Sequence, residues 1–406
     1  MASKFFYALP ILLISIAACN SPKTKEKNKT YTNGSFGYDL AFLQKYDSVI
    51  VLKKGDAQVI VSPKYQAKVV TSTADGLEGK SFGWINYKLF DGPLDEHINA
   101  YGGENRLWLG PEGGKFSLFF PKGAKMEFAN WKTPAAFDSE PWTTMEQNET
   151  SVKLQKDMQL VNYAGTVLNL LVKRKITILE KAETGNLLQV NLNSKIKWVG
   201  YRTENTITNT GNNEWNSTTG MPCIWMLDMF TPSDSTVVII PYKNGNLPAA
   251  NTDYFGTIPN ERIRYKNNVL FFKVDGKQRG KLGIYPKRAK PVAGSYDWQH
   301  QILTITIFDI NPLGKYLNQE WRTDKDPFSG DAMNAYNDGP LADGKQLGPF
   351  YELESVSTAA FLQPGNSLSH YHNVFHFRGK EKELNEIAKK VFGVTIEEIK
   401  KVFNSP

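Results

Sequence analysis

Cysteine and histidine are scarce in this chain, which has two cysteines and five histidines among its 406 residues. One cysteine, Cys19, lies next to an N-terminal segment that we expect to be removed, so no internal disulfide is predicted. The other, Cys223, stands in the apolar run MPCIW at 221–225. That setting favours burial as a small apolar side chain over a role as a nucleophile.

Several nucleic-acid signals are also missing. Zinc-finger spacing, a P-loop and an RNP pattern are absent, although the net charge is +7 and the pI is about 9.0. The basic residues are scattered over the N-terminal and C-terminal segments and do not follow one stripe. We therefore expect no nucleic-acid partner, and nothing in the sequence calls for a cofactor or a metal.

No apolar run is long enough to span a bilayer, but one has the length of a signal-peptide core. Residues 5–18 follow Lys4 and end in IAAC at 16–19, which resembles the lipobox of bacterial lipoproteins. There a peptidase cleaves before the cysteine, whose thiol carries diacylglycerol. We predict a signal peptide at 1–18, a lipid on Cys19 and a polar tether at 19–34. An ordinary secretory peptide with a chance cysteine is the alternative.

These features place the protein in the bacterial cell envelope, anchored to a membrane by its lipid. Asn20 directly follows the cysteine, and the lack of an acidic residue there favours the periplasmic side of the outer membrane. We expect a monomer.

Short β-branched runs fill the chain between residues 49 and 308. They are found at 49–52, 57–61, 68–72, 116–120, 152–154, 170–179, 187–192, 203–208, 236–240, 269–274 and 302–308. Turn formers separate them, and almost no helical pattern lies between them, so βαβ units are excluded and a large antiparallel sandwich is favoured over a propeller. The prediction is one all-β domain at 35–378, which begins with a short helix at 36–48.

The apolar period changes to that of a helix only after residue 378. Leu384, Ile387 and Val391 share one helical face, Gly393 ends that helix, and Thr395 caps another. Two short helices at 379–406 should therefore cover part of the sandwich.

A first polar segment, residues 97–114, contains glycine-rich bends around a short strand. It carries His97, Glu104, Arg106, Trp108 and Glu112. Arginine offers a fixed fork of donors, and an exposed tryptophan face suits a sugar ring, so this segment is a candidate ligand site. A buried Arg–Glu pair that holds a loop together is the competing interpretation.

A second polar segment, residues 316–377, contains two carboxylates on one strand. Alternation in FYELE at 350–354 puts Glu352 and Glu354 on one face, about 7 Å apart. Two such carboxylates are costly in a dry site unless they are paired or protonated. Before them, Asn337 and Asp338 form either a turn or a ligand loop.

The second polar segment closes on a strand with three of the five histidines. His370, His372 and His376 share one face of that strand. A His-x-His pair on a strand can bind a transition metal, but half-buried structural histidines are the more common case.

Three motifs resemble those of one protein family. GGENRLWLGPEGG, YNDGP with LGPFYELES, and the closing PG…HYH strand resemble a Bacteroidetes-type family of lipoproteins of unknown function, related to the galactose mutarotase-like (aldose 1-epimerase) superfamily. The likeness to the lipoprotein family covers nearly the whole mature chain, and that to mutarotases mainly the tail. It implies a β-supersandwich with a sugar-binding cleft on one sheet.

The resemblance also suggests roles for individual residues. Glu354 is the best match for the general base of mutarotases and Glu352 the second, while Arg106 is a loose counterpart of their substrate-binding arginine. The acid histidine of mutarotases is not matched, because the segment GMPCIWMLDMF at 220–230 contains none. His97 is the remaining candidate acid.

We therefore expect a carbohydrate-binding envelope lipoprotein, with an aldose epimerase-like activity if it is an enzyme. The other candidate substrate-binding residues are Trp108, Glu112, Asn337, Asp338, His370 and His372. Arg106, the glutamate pair and the His370/His372 face are predicted to converge on one open cleft. The alternative is a non-catalytic glycan-binding or structural envelope lipoprotein.

Overall fold

The computed structural model describes residues 1–2, 30–252, 254–341 and 343–403. The predicted signal peptide, Cys19 and most of the tether lie outside these residues. Helix α1 (Phe36–Leu43) opens the described fold, and the Ser35 hydroxyl caps it by accepting a hydrogen bond from Tyr38 N. The sequence placed this helix correctly but extended it to residue 48.

The smallest sheet follows α1 and has three antiparallel strands. They are β1 (Ile50–Lys54), β2 (Ala57–Ser62) and β3 (Lys68–Thr73), in that order. All three coincide with predicted β-branched runs.

A ten-stranded antiparallel sheet forms the largest layer. Its strands are, numbered in chain order, β5 (Thr143–Gln147), β6 (Ser151–Val161), β7 (Val167–Ile178), β8 (Lys197–Asn209), β10 (Thr236–Pro241), β11 (Ile263–Lys266), β12 (Val269–Lys273), β14 (Val292–Asp297), β15 (Ile302–Phe308) and β18 (Ser367–Arg378). Their order across the sheet is β11-β12-β10-β14-β15-β18-β8-β7-β6-β5. The last strand thus lies between β15 and β8, in the middle of the sheet.

A five-stranded antiparallel sheet packs against the ten-stranded one. Its strands are β4 (Arg106–Gly110), β9 (Cys223–Phe230), β13 (Gly280–Ile284), β16 (Met333–Asn337) and β17 (Tyr351–Val356), in the order β13-β16-β17-β9-β4. Every residue of these five strands is buried. A sheet covered on both faces cannot show clean apolar–polar alternation, and each of its faces must bury polar groups in pairs.

The ten-stranded sheet carries helices on its other face. Helix α2 (Lys181–Leu188), α3 (Glu381–Phe392) and α4 (Ile396–Lys401) join a core that includes Phe375 and Phe377 of β18. The C-terminal helices were predicted, as were the glycine that ends α3 and the Thr395 cap of α4. The expectation of a large antiparallel β-sandwich with two short C-terminal helices is confirmed.

Two predicted strands are wrong. Residues 116–120 form an irregular buried loop, in which Ser117 N bonds to Gly114 O and Leu118 N to Pro111 O. The run at 187–192 instead contains the end of α2, which Gln189 terminates in the left-handed conformation. In both places apolar residues are buried without forming a strand, because a short apolar run does not by itself specify its backbone conformation. Among the described residues, no helix is long and apolar enough to cross a membrane.

Candidate functional site

Strand register divides the five-stranded sheet into two polar faces. Ser355 of β17 and Asp228 of β9 contact histidines of β18, so they define the inner face, turned to the ten-stranded sheet. Side chains alternate along a strand, so Glu354 and Glu352 point to the opposite, outer face. The cross-strand partners of the same face are Leu227, Met229, Tyr336 and Asn334.

The outer face collects charged residues from three strands. Arg106 pairs with Leu227, and Lys281 pairs with Tyr336, so both point to the same side as the glutamates. Arg106 Nη2 donates to Glu352 Oε1 at 2.6 Å, across a separation of 246 residues. Lys281 Nζ donates to Glu354 Oε2 at 3.0 Å. The structure therefore brings together Arg106 and both glutamates, as the sequence suggested, and adds a lysine. It buries these four side chains, whereas the sequence predicted an open cleft.

Trp225 completes the support of Glu354. Its indole Nε1 donates to Glu354 Oε2 at 2.8 Å, and the Lys281 ammonium lies 4.8 Å from its ring centroid. Trp225 belongs to the segment in which mutarotases would have their acid histidine. Glu354 Oε1 is buried, and a side-chain hydrogen bond links the carboxyl groups of Glu354 and Glu352.

Burial and neighbouring charges shift the pKa values of Glu352 and Lys281. Burial raises the pKa of Glu352 to about 8; the Arg106 guanidinium opposes this, and the Glu354 carboxylate adds to it. Burial alone would lower the pKa of Lys281, but the carboxylates of Glu354, Glu112 and Glu352 raise it above its usual value. The neighbouring carboxylates therefore favour the ammonium form of the lysine, while burial favours the protonated form of Glu352.

A tyrosine and an aspartate border the site beside Lys281. Tyr254 OH donates to Asp331 Oδ2 at 2.7 Å, Asn334 Nδ2 donates to Tyr254 OH at 3.1 Å, and Lys281 Nζ lies 5.4 Å from the Tyr254 ring centroid. Burial raises the pKa of Asp331 to about 6. Gly283 leaves the space for this aspartate, because a Cβ there would collide with its carboxylate. This group reinforces the acidic character of the site.

Glu112 and Trp321 form another border. The Trp321 indole donates to Glu112, and burial raises the pKa of this glutamate although Lys281 opposes the shift. Gln319 Oε1 accepts the backbone N–H of Glu112 at 2.9 Å and fixes the loop. Trp321 stacks on Trp131 with a centroid distance of 5.9 Å. Glu112 is thus part of the outer face, and Trp321 supplies an aromatic surface next to it.

Trp108 lies on the outer face but is not the exposed platform that the sequence suggested. It is only 4% exposed and packs against Phe119, Phe137 and Trp225. A large aromatic side chain on this edge strand is more stable under a covering loop than in water. Its role is to support Trp225 and the Arg106 guanidinium, which lies 5.0 Å from its ring.

His97 does not join the site. Its Nδ1 lies 2.6 Å from Trp131 O, its Nε2 is 3.6 Å from Glu96, and its ring stacks on Phe128. None of its contacts among the described residues is with Glu352 or Glu354. The prediction failed because neighbours in a glycine-rich segment need not fold toward the same point.

The histidines of β18 lie on the inner face, so their predicted convergence with the glutamates is wrong. Ser355 Oγ is 2.8 Å from His370 Nε2 and 2.8 Å from His372 Nδ1, and His372 Nε2 is 2.7 Å from Asp228 Oδ2. Burial lowers the pKa of His370 to about 3, which keeps it neutral. The sheet separates these imidazoles from Glu354, since Ser355 and Glu354 are consecutive residues of one strand.

His376 and Glu104 form a second inner contact. Their Nε2 and Oε1 atoms are 3.0 Å apart, and Thr304 Oγ1 lies 2.8 Å from the other ring nitrogen. Among the described residues, no group of three or more His, Cys, Asp or Glu side chains is arranged to hold a metal ion. Cys223 is buried as predicted, and burial raises its pKa to about 12.

Asn337 and Asp338 hold backbone segments together. Asn337 ends β16, accepts from Gly276 N at 3.0 Å and donates to Gln278 O at 2.8 Å. Asp338 accepts from Tyr336 OH at 2.7 Å and from Gly348 N at 3.0 Å. Both are buried and their polar atoms are engaged, so neither is placed as a ligand-binding residue.

Comparison with known proteins identifies the family. Residues 34–403 match a family described as "Family of unknown function (DUF6786)". The chain belongs to this family. The match agrees with the sequence resemblance to a family of unknown function, whereas the lipoprotein type stays a prediction. No curated protein matches the chain.

Three solved structures show what this DUF6786 chain is similar to. A protein from Synechocystis sp. PCC 6803 is 13% identical and covers 82% of this chain and 96% of its own, with a TM-score of 0.48. A putative aldose 1-epimerase from Escherichia coli K12 is 12% identical and covers 81% of this chain and 98% of its own, with a TM-score of 0.48. A galactose mutarotase-like protein from Lactobacillus casei is 10% identical over 81% and 100%, also at 0.48. Because these TM-scores lie below 0.5, the description of the fold rests on the chain's own strands.

Sequence reasoning missed four residues of the outer face in this family member: Lys281, Trp225, Asp331 and Tyr254. A weak signal existed for Lys281, which is the one charged residue in the buried strand GKLGI. Trp225, Asp331 and Tyr254 had no such signal in the sequence. Only the pairing of β16 with β13 and of β17 with β9 brings their segments to Glu354.

Proposed function

We propose that the outer face of the five-stranded sheet binds a carbohydrate and that Glu354 acts there as a general base in an aldose 1-epimerase-like reaction. The observation that carries the proposal is the buried pair of Glu352 and Glu354, held by Arg106 and Lys281. Carboxylates and cations beside Trp321 are the kinds of group that bind sugar hydroxyls and pyranose faces.

The raised pKa of Glu352 supports a role for this residue as the acid of an acid–base pair. The Glu354 carboxylate would remove the proton of the anomeric hydroxyl while the bond between the anomeric carbon and the ring oxygen breaks. Glu352, protonated because its pKa is raised to about 8, would give its proton to that ring oxygen and yield the open-chain aldehyde. Ring closure on the opposite face of the aldehyde reverses both proton transfers and gives the other anomer.

Polarimetry with freshly dissolved α-D-galactose or α-D-glucose tests the catalytic part. The full-length protein should accelerate the approach to anomeric equilibrium. The rate should fall as the pH rises through the pKa of Glu352, because the acid is then deprotonated. A rate equal to that of buffer alone with both sugars would exclude this reaction for them.

Non-catalytic glycan binding is the second candidate, and the tight support of the glutamates favours it. Glu354 Oε2 already accepts two donors, Trp225 Nε1 and Lys281 Nζ, and Glu352 is bound by Arg106. Such groups can serve as fixed acceptors and donors without exchanging protons. Binding on a glycan array, lost on Glu354→Gln, combined with no effect on mutarotation, would select this alternative.

We further propose that the chain is a lipoprotein of the bacterial cell envelope, anchored through Cys19. The support is the IAAC sequence at 16–19 after a short apolar run, which lies outside the described residues. Cys19→Ser should move the protein from the membrane fraction to the soluble fraction. Unchanged retention of the variant in the membrane would contradict the anchor.

A further inference from the structure

Arg279 stands out among the charged residues near the outer face because its guanidinium is exposed and preorganised. It directly precedes β13 and comes two positions before Lys281. Both side chains therefore point to the same side of the extended chain. Its guanidinium carbon lies 3.8 Å from the ring centroid of Phe255, which is 39% exposed. It makes no hydrogen bond or ion pair with any described residue.

Contacts place this stacked pair at the edge of the carboxylate site. Phe255 packs edge-on against Tyr336 with centroids 6.0 Å apart, and Tyr336 lies opposite Glu352 in the sheet. Arg279 acts electrostatically on both Tyr336 and Glu112. An anion bound by Arg279 would therefore lie near Tyr336 and Glu112, at the edge of the carboxylate site.

Arg106 pairs with Glu352, and Lys281 pairs with Glu354. Arg279 has no such carboxylate partner among the described residues. Arg279 is thus the cation left over. A guanidinium held flat on an aromatic ring keeps its in-plane donors directed outward and loses little side-chain entropy when it binds a planar anion.

We propose that Arg279 is the anion-binding residue of this site and that the ligand is a saccharide bearing a carboxylate or sulfate group. This inference rests on the proposed carbohydrate site and names its ligand class. A hexuronic acid and a sulfated hexose share the chemistry that Arg279 would recognise, namely an anion beside ring hydroxyls.

Calorimetric titration of the full-length protein with matched sugars tests the inference. The probes are D-galactose, D-galacturonate and D-galactose 6-sulfate, with the D-glucose, D-glucuronate and D-glucose 6-sulfate series as a second set. At least one anionic sugar should bind about tenfold more tightly than its neutral parent, since hydrogen bonds to charged groups are among the stronger ones. The preferred anion tells a carboxylate ligand from a sulfate ligand.

Variants assign the preference to the residue. Arg279→Gln should remove the preference for the anion while leaving affinity for the neutral sugar unchanged, and Arg279→Lys should keep part of it. Arg264→Gln is the matched control. Arg264 also lies over an aromatic ring, at 6.0 Å from the centroid of Phe403, which follows α4. The Arg264→Gln variant should keep the full preference.

Three results would overturn the inference. Equal affinity for neutral and anionic sugars, or a preference that survives Arg279→Gln, excludes Arg279 as the anion-binding residue but leaves the carbohydrate site standing. Loss of the preference in Arg264→Gln as well would show that the preference for anionic sugars comes from the net charge of the protein and not from Arg279. Failure of all six sugars to bind removes the proposed function, and the inference with it.

Discussion

The two faces of the five-stranded sheet are both buried and both polar, yet they are built differently. Glu354 and Ser355 are consecutive residues of β17 and point to opposite faces. On the outer face Glu354 and Glu352 form ion pairs with Lys281 and Arg106. On the inner face Ser355 takes part in a relay of short hydrogen bonds to two imidazoles.

The difference lies in the groups that make the contacts. The inner relay continues from His372 to Asp228, and Asp228 Oδ1 accepts from Asn105 Nδ2 at 2.6 Å, so its carboxylate is engaged at both oxygens. On the outer face a guanidinium and an ammonium ion meet carboxylates directly. Buried atoms without a partner among the described residues occur on both faces, for example Glu354 Oε1 on the outer face and Glu104 Oε2 on the inner face. The imidazole relay joins side chains of the two sheets and so stabilises their packing, whereas the ion pairs hold charged groups of one sheet together.

The largest expected effect separates these roles at neighbouring positions. Glu354→Gln should reduce epimerase activity about 100-fold or more, or abolish sugar binding, because the amide cannot take a proton. Ser355→Ala should leave activity within a few-fold of the wild type and lower the free energy of unfolding by about 1–3 kcal/mol, since two imidazoles lose their partner. Polarimetry and urea denaturation of both variants give the comparison, and equal losses of activity would contradict it.

Removal of the inner carboxylate should have the next largest effect. Asp228→Ala should lower the free energy of unfolding by about 3 kcal/mol, because His372 Nε2 and Asn105 Nδ2 both lose their acceptor in a dry interior. Asp228→Asn is the control and should cost less, since its amide oxygen still accepts one bond. A loss below 1 kcal/mol for alanine by urea denaturation would show that the relay contributes little.

Lys68 is a buried lysine on which the positive charges of both Arg106 and Arg174 act. Its Nζ donates a hydrogen bond to Gly102 O at 3.1 Å. Burial lowers its pKa from 10.5 to about 7. Between these pH values the unfolded chain carries a proton that the folded chain lacks, so stability rises with pH by up to about 1.4 kcal/mol per pH unit.

Lys68→Met should therefore raise the free energy of unfolding at pH 7 by about 2 kcal/mol, because the buried cation is removed at the cost of one hydrogen bond. The variant should also lose the part of the pH dependence that lies between pH 7 and 10.5. Urea denaturation at several pH values measures both. An unchanged pH slope would mean that Lys68 is not a source of the dependence.

The smallest expected effect lies away from both faces and sets a scale for the others. Thr395 caps α4 in a reciprocal capping box with Glu398. Thr395→Ala should lower the free energy of unfolding by about 1 kcal/mol and leave sugar binding unchanged. A larger loss, or any loss of binding, would show that the C-terminal helices influence the sheet that carries the site.

Local sequence patterns predicted much of the fold. Nine of the eleven β-branched runs coincide with strands, and glycine and threonine at 393 and 395 predicted the helix ends, because these signals act over a few residues. Alternation in FYELE also put both glutamates on one face. His97 and the histidines of β18 were misplaced, since the sequence does not say which sheet a strand joins or toward which point a loop folds.

The sequence by itself determined which side chains share a strand face, where helices begin and end, and that a buried glutamate pair needs cations. These follow from backbone geometry and from the cost of burying charge. Only the tertiary structure decided which cations pair with the glutamates. Arg106 and Lys281 reach the glutamates because β4 and β13 join the same sheet as β17, whereas β18 joins the other sheet and turns its histidines to the inner face. Which strands pair depends on the packing of the whole core. The paired strands are far apart in the sequence, so no local sequence pattern predicts the pairing.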